Sequence, residues 1–356
     1  MLKVGIYAPY AKNEVTLAAV QFADWLVRCG LDVDFMTNGK VNQGVHAVWD
    51  KKVRRVRNVE SLYRWAHNAT HLCWFAPDVF AFDAAKLVMA DRPKRKTKNF
   101  FFPHWCNWST NYVKFFQSTK RTICLAQEMA IWLDAKYPDI DTKRTWANLV
   151  SPAIPLICKQ GFVEPESRSL LVLFDRSTVL DVDLELFDLF DLLLQNHPHL
   201  KITFAFVGAL PTPYRDQVRS LKFIREDRVF FANNPDYTDY LHLARQHDWI
   251  YLATTRHQFG SLLSHLQITT VPIICHDIPP VGGHIVDKKT GYLIPCGLHE
   301  KPFPLAEINA VEVYNKLDDV LMLSETELIT MQTAIAQQLK KKQAAFEQFI
   351  MKEFVL

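Results

Sequence analysis

Apolar residues fall in short blocks along this chain, and two kinds of block alternate. Residues 3–9 form a compact apolar run, the pattern of a strand buried on both faces. Residues 15–29 follow with apolar positions at helical spacing, and Gly30 stands where a helix C-cap glycine belongs. Residues 31–36 alternate as a second strand. Strand, helix and strand in that order open a doubly wound sheet. Further strands are predicted at 71–75, 99–102 and 121–125, with a helix at 129–136. A stretch holding two prolines, 148–155, breaks the pattern and reads as a linker. A second series then begins: strand 169–174, helix 183–196, strand 201–208, strands 228–231 and 249–253, helix 261–267 and strand 271–275. The chain ends on a long helical pattern over 325–354. The expectation is an α/β protein with two Rossmann-like domains, 1–155 and 156–325, and a C-terminal helix over 326–356. Ligands of such sheets lie beyond the carboxyl ends of the strands, which places the expected site in a cleft between two facing halves.

Length and composition agree with this pattern. The 356 residues suit two domains of roughly 150 each. Apolar residues make up 49% and charged residues 22%, a globular composition. No run reaches the roughly 18 apolar residues of a membrane span. The first strand begins at Lys3 without a basic and apolar leader, so a cytoplasmic location is expected. The seven cysteines are scattered, odd in number and free of any Cys-x-x-Cys spacing. They read as reduced thiols, with neither a disulfide framework nor a zinc site.

Charge adds an asymmetry. Residues 1–158 hold 22 Lys and Arg against 13 Asp and Glu, a net +9, while the remainder holds 19 against 25, a net −6. The excess sits in two clusters: Lys51, Lys52, Arg54, Arg55 and Arg57, and Arg92, Lys94, Arg95, Lys96 and Lys98. A split of this size points to a polyanion or acidic surface as partner of the N-terminal half.

The candidate chemistry concentrates between Trp249 and Pro295. A strand ends in Thr254 to Gly260, and a helix starts near Ser261. A glycine entering a helix lets backbone amides approach a phosphate, so Gly260 and Ser261 are candidate phosphate contacts. The order of motifs here resembles the donor-binding half of retaining GT-B glycosyltransferases. Phe259-Gly260, Val271-Pro272-Ile273, Gly282-Gly283 and Thr290 to Pro295 match that superfamily's pattern. The resemblance covers about 150 residues clearly and the N-terminal half more loosely. It implies a donor site with Phe259, Gly260, Ser261 and Arg176, the last matching the family arginine after the first strand. The family's two glutamates fall on His257 and His265, and its lysine on Asp181. A neutral imidazole accepts a single hydrogen bond, so ribose recognition must differ. Arg176, the Gly260–Ser261 amides and protonated His257 are left to stabilise the leaving diphosphate. As alternatives, both histidines can be core or surface residues, Arg176 a surface ion-pair partner and Gly260 a turn glycine. Metal ligation is a further alternative, but residues eight apart on a helix are two turns, roughly 12 Å, apart by rise, too far for one ion.

In the N-terminal half, Val15-Thr16, Asp24-Trp25 and the closing Gly30-x-x-Val33 resemble one branch of that superfamily, the phage α-glucosyltransferases that modify hydroxymethylcytosine in DNA. That branch's glycine-rich loop is replaced by Lys12-Asn13-Glu14, which become candidate acceptor contacts. His104 matches a family histidine facing the donor sugar, and Trp105 replaces a neighbouring aspartate. Trp105 and Trp108 can stack on a base or sugar, or serve as core. Arg95 and Lys96 precede this strand and are candidate phosphate-backbone contacts, although they enter its far end.

The resemblance implies a metal-independent, retaining transfer of a sugar from a nucleotide donor, a UDP-sugar, to a hydroxyl, with no further cofactor. A hydroxymethylated base in double-stranded DNA is the leading acceptor, bound through the basic half in the host cytoplasm if the chain is phage-encoded. The alternatives are a lipopolysaccharide or lipid-linked glycan acceptor, or an inactive scaffold that binds nucleic acid or a protein.

Overall fold

A computed structural model of the chain describes residues 2–10, 14–39, 46, 48–77, 79–90, 97–103, 110–119, 121–140, 143–155, 168–175, 182–207, 227–232, 237–253, 260–278, 282–300 and 304–355. It divides into two compact units. Unit 1 is Met1–Pro152 with Gly260–Leu262 and Lys341–Leu356; unit 2 is Ala153–Phe259 with Leu263–Lys340.

Unit 1 runs β1 (Lys3–Tyr7), α1 (Glu14–Arg28), β2 (Asp32–Thr37), β3 (Arg54–Arg55), α2 (Val59–Ala66), β4 (His71–Phe75), α3 (Val79–Ala90), β5 (Lys98–Phe102), α4 (Thr110–Ser118), β6 (Arg121–Cys124), α5 (Gln127–Lys136) and β7 (Lys143–Trp146). The seven strands form one parallel sheet in the order β3-β2-β1-β4-β5-β6-β7. Every residue of β4 is buried, which is why it reads as a continuous apolar run. The α1 helix stops at Gly30, whose φ of +80° lets Gly30 N–H donate to Val27 and Leu31 N–H to Leu26, both at 3.0 Å. Gly5 in β1 clears space for Trp65 of α2, whose ring would lie 2.8 Å from any Cβ there.

The core of unit 1 is aromatic and takes in the chain's last residues. Phe22 of α1 meets Phe102 at 4.8 Å and Phe354 at 5.5 Å, and Phe100 meets Phe354 at 4.7 Å. Glu353 is buried, with Arg121 and Lys143, which open β6 and β7, each 3.8 Å away. Two cations around one carboxylate offset much of the cost of burying it.

Unit 2 runs β8 (Ser169–Asp175), α6 (Val182–Asn196), β9 (Lys201–Val207), β10 (Val229–Ala232), α7 (Tyr237–Ala244), β11 (Trp249–Ala253), α8 (Gly260–Leu266), β12 (Ile273–His276), β13 (Gly291–Ile294), β14 (Gly297–Glu300), β15 (Pro304–Glu307), α9 (Ala310–Leu321) and α10 (Glu325–Ile350). The first residues of α8 and the last of α10 pack with unit 1. Six strands form a parallel sheet in the order β10-β9-β8-β11-β12-β13, and β14 and β15 make an antiparallel hairpin. Phe174, Phe187, Phe190 and Phe204 centre its core, with Val313 and Leu317 of α9 and Leu328 of α10 in the same cluster.

The strands predicted at 71–75 and 249–253 are found with those bounds. The strand predicted at 271–275 starts at Ile273, because Pro272 has no N–H to give the ladder. The helix predicted to 354 is α-helical to Ile350 and then winds wider over Met351–Val355.

Candidate functional site

The two sheets share one strand order. Numbered within each unit it reads 3-2-1-4-5-6, with β7 added to the first sheet. The order reverses between β1 and β4 in unit 1, and between β8 and β11 in unit 2. Connections leaving two such neighbouring strands diverge to opposite faces, which opens a crevice at their carboxyl ends.

In unit 2, β8 and β11 end together: Ala253 is the register partner of Phe174. The chain leaves β8 into residues 176–181 and β11 into residues 254–259, returning at Gly260. The predicted donor residues Arg176, His257 and Phe259 therefore belong to the two segments that leave the reversal strands, though all three lie outside the described residues. Gly260 is the first residue of α8, and Ser261 is buried, its carbonyl accepting from Gln21 Nε2 at 3.1 Å. His265 is half-buried in the last turn of α8. His257, the other member of the histidine pair, lies outside the described residues, so the spacing of the pair is not described. Among the described residues no group of three or more His, Cys, Asp and Glu is placed to hold a metal ion.

The motif at 282–295 turns out to build the sheet. Thr290 is buried; its Oγ1 accepts from Val286 N–H at 2.8 Å while its own N–H donates to the Val286 carbonyl at 2.9 Å. Asp287 Oδ1 accepts from Leu293 N–H at 2.9 Å. Gly291 starts β13 at φ +156°, and a Cβ there would stand 2.1 Å from the Ile273 carbonyl oxygen. These residues form a tight turn that delivers β13 against β12.

In unit 1, β1 opens into Tyr10 and then residues 11–13. Lys12 and Asn13 lie outside the described residues; Glu14 opens α1, and its side chain is not among those described. Tyr10 is buried and donates through its hydroxyl to Asp50 Oδ1 at 2.7 Å; burial and then Asp50 push its pKa far up. Asp50 Oδ1 also accepts from His46 N–H at 3.1 Å. Trp49 Nε1 donates to Asp24 Oδ1 at 2.7 Å, and His46 Nε2 lies 3.4 Å from Asp24 Oδ2. Burial raises the Asp24 carboxyl pKa, against the opposing pull of His46, Trp49 and Lys52. The Asp24-Trp25 pair is thus structural here: Trp25 is buried, donates to the Val150 carbonyl at 2.6 Å and packs on Phe346.

Across the reversal, β4 ends at Phe75, and Ala76 takes φ +38°, a left-handed backbone that a non-glycine residue ahead of a proline adopts only under strain. Beside it, β5 leads through Pro103 into residues 104–109, so His104, Trp105 and Trp108 follow the strand next to the reversal but lie outside the described residues. Arg95 and Lys96 also lie outside them; Lys98, the last of their cluster, is the first residue of β5, at the sheet's amino-terminal edge. The first basic cluster stands at the opposite edge, since β3 pairs with the carboxyl end of β2, Arg54 beside Met36 and Arg55 beside Thr37.

The hydrogen-bonded group of Tyr10, Asp24, His46, Trp49 and Asp50 had no signal in the sequence, because its members are up to 40 residues apart. Ala76 had a weak one, the Ala-Pro dipeptide at a strand end.

No family model and no curated protein matches the sequence. Solved structures match its fold along almost the whole chain. A glycosyltransferase from Rickettsia africae covers 99% of this chain and 98% of its own, with a TM-score of 0.70 at 14% identity. Anabaena HepE in complex with UDP-glucose covers 99% of both chains, with a TM-score of 0.67 at 12% identity. An alpha-glucosyltransferase in complex with UDP and a 13-mer DNA containing a HMU base covers 98% of this chain and 99% of its own, with a TM-score of 0.61 at 9% identity. At these identities the likeness is one of fold, and the fold is that of the GT-B glycosyltransferases.

Proposed function

We propose that this chain is a glycosyltransferase that moves a sugar from a UDP-sugar to a hydroxyl, the acceptor being a hydroxymethylated base in double-stranded DNA. One observation carries most of the weight. The segments holding Arg176 and residues 254–260 leave β8 and β11, the two strands at which the order of the second sheet reverses. The structural neighbours solved with UDP, with UDP-glucose and with DNA support the same donor and acceptor classes.

The proposed transfer is retaining and uses no protein nucleophile and no metal. The acceptor oxygen attacks the anomeric carbon on the face from which the diphosphate departs. The bond from that carbon to the diphosphate oxygen breaks, and the departing oxygen takes the acceptor's proton. Arg176, the first-turn amides at Gly260–Ser261 and a protonated His257 oppose the developing negative charge. His104 faces the sugar, and His265 and Phe259 hold the nucleotide. Lys12, Asn13, Glu14, Trp105 and Trp108 contact the acceptor. A base inside a duplex must be flipped out to be reached, and aromatic side chains such as Trp105 can stack on it. The reaction would run in the cytoplasm, where both nucleotide sugars and DNA are present. Among the described residues no helix is long and apolar enough to cross a membrane.

The test is direct. The protein is incubated with a panel of nucleotide sugars and hydroxymethylated duplex DNA, and the digested nucleosides are weighed. A hexose-sized mass gain with a UDP-sugar is the expected result. No gain with any donor overturns the proposal, and a gain only on glycan or lipid acceptors moves it to that acceptor class. Arg176→Ala and His257→Ala should each lower turnover ten-fold or more, about 1.4 kcal/mol in the barrier. Unchanged rates would mean that the donor site lies elsewhere.

A further inference from the structure

We infer that residues Lys51–Arg57 form a phosphate-contacting platform for duplex DNA, and that the second basic cluster, 92–98, does not. This rests on the reading of DNA as acceptor. Lys51, Lys52, Arg54, Arg55 and Arg57 are all exposed, five cations in seven residues. The backbone beneath them is pinned. Trp49, Val53 and Val56 are 2%, 8% and 4% exposed and point inward. The N–H groups of Lys52 and Val53 donate to the Trp49 carbonyl, and Val56 N–H donates to Thr37 at 2.8 Å. Asp24 holds the Trp49 indole, and Tyr10 and His46 hold Asp50. Cations on a fixed backbone lose less freedom on meeting a ligand than cations on a free loop.

Position and charge favour this cluster over the other. The platform flanks the carboxyl edge of the sheet, where β1 opens into Tyr10, and Tyr10 is bonded to Asp50, the residue before the platform. Lys98 lies at the amino edge. Arg54 is already paired with Asp34, which Lys3 also approaches at 3.7 Å; Arg55 donates through Nε to the Asn38 carbonyl at 3.3 Å and Lys52 lies over the Trp49 ring at 5.6 Å, contacts that leave their charges to meet phosphates together with Lys51 and Arg57. DNA presents one charge per roughly 1.7 Å of axis, dense enough to engage all four. An anionic membrane is the weaker occupant, because Val53 and Val56 face the core and, among the described residues 48–57, Val48 is the one exposed apolar side chain, too little to anchor among acyl chains.

The test compares two quadruple variants, Lys51→Gln/Lys52→Gln/Arg55→Gln/Arg57→Gln and Arg92→Gln/Lys94→Gln/Arg95→Gln/Lys96→Gln. Duplex DNA affinity is measured for both and for the unaltered chain from about 50 to 200 mM salt. The first variant should flatten the log–log salt slope by about 3 to 4, and the second by less than about 1. If the first variant fails to fold, Arg55→Gln and Arg57→Gln singly should each flatten it by about 1. An unchanged slope in the 51–57 variants, the larger loss in the 92–96 variant, or binding by the unaltered chain to phosphatidylserine vesicles but not to DNA would each overturn the inference. Sugar transfer from a panel of nucleotide sugars to hydroxymethylated duplex DNA by the unaltered chain is read alongside. If it is absent, the glycosyltransferase reading fails while the salt slopes still decide the platform.

Discussion

The two sheets have one strand order and close it differently. At the carboxyl edge of the first, the chain ties itself up: Tyr10 holds Asp50, Asp24 holds Trp49, and Ala76 turns the backbone under strain. At the same edge of the second, the two segments leaving β8 and β11 carry an arginine, a histidine and a glycine that opens a helix. Strand order says where a ligand can sit. The residues that follow the reversal strands differ between the two halves. The cores differ as well. Trp25 and Phe22 of unit 1 pack on Phe346 and Phe354, whereas unit 2 fills its interior mainly with Phe and Leu from its own helices and strands.

The hardest test of that contrast is Trp25→Ala. Trp25 is fully buried, hydrogen-bonded to Val150 and packed on Phe346, so its loss should cost about 3 to 5 kcal/mol, read from the urea midpoint. A loss below 1 kcal/mol would show that the C-terminal residues do not complete the first core. In unit 2 the counterpart is Gly291→Ala, which drives a methyl into the Ile273 carbonyl and should cost about 3 kcal/mol. Gly30→Ala also has a positive φ, but nothing lies within 4 Å of the added Cβ, so about 1 kcal/mol is expected. Equal losses at the two glycines would mean that the 286–291 turn is less tightly fitted than its contacts indicate.

These residues also mark how far the sequence can be read. Unbroken apolar runs such as 71–75 and 249–253 locate central strands, because strands buried on both faces leave that signature. The polar edge strands β3 and β7 carry no such run, and α3 is apolar around most of its circumference, so periodicity misses all three. The site is half legible. Thr290-Gly291 carries the resemblance in sequence, and the structure gives it a local reason: hydrogen bonds to Val286 at Thr290 and the close Ile273 carbonyl at Gly291. Motif position singles out Arg176, His257 and Phe259, whose segments leave the reversal strands β8 and β11. The Tyr10–Asp50 and Trp49–Asp24 bonds depend on long-range closure, which no local pattern encodes.

Acid separates the halves next. His71 at the start of β4 and His276 at the end of β12 are each buried, with pKa lowered to about 4. Burial is the main cause in both, with Lys98 and Arg121 adding to it at His71. Both stay neutral in the fold while the unfolded chain takes up protons below about pH 6.5. Each contribution is therefore complete above pH 6.5 and is lost as pH falls toward 4. By pH 4 the loss should be on the order of 3 kcal/mol per histidine. Urea unfolding from pH 7 to 4.5 reads the slope. His71→Phe, which keeps a ring stacked on Phe100, should flatten it by one proton's worth. His276→Phe should do the same, with an added cost at pH 7 because Tyr251 loses its 3.2 Å partner. An unchanged slope in either variant would place that imidazole in contact with water.

The smallest effects come from a matched pair of helix caps. Asn58 accepts from Ser61 N–H at 2.8 Å at the start of α2, and Asn309 accepts from Val311 N–H at 3.0 Å and Glu312 N–H at 3.3 Å at the start of α9. Replacing either by alanine should cost about 1 kcal/mol, and replacing it by aspartate should restore most of that. Because the perturbations are equal and sit in different units, they report on cooperativity more than on caps. Each unit has its own core, so calorimetry should show two transitions, with Asn58→Ala lowering one and Asn309→Ala the other. A single transition lowered equally by both would mean that the repeated strand order is stable only as a pair, and that neither half's edge chemistry can be studied in isolation.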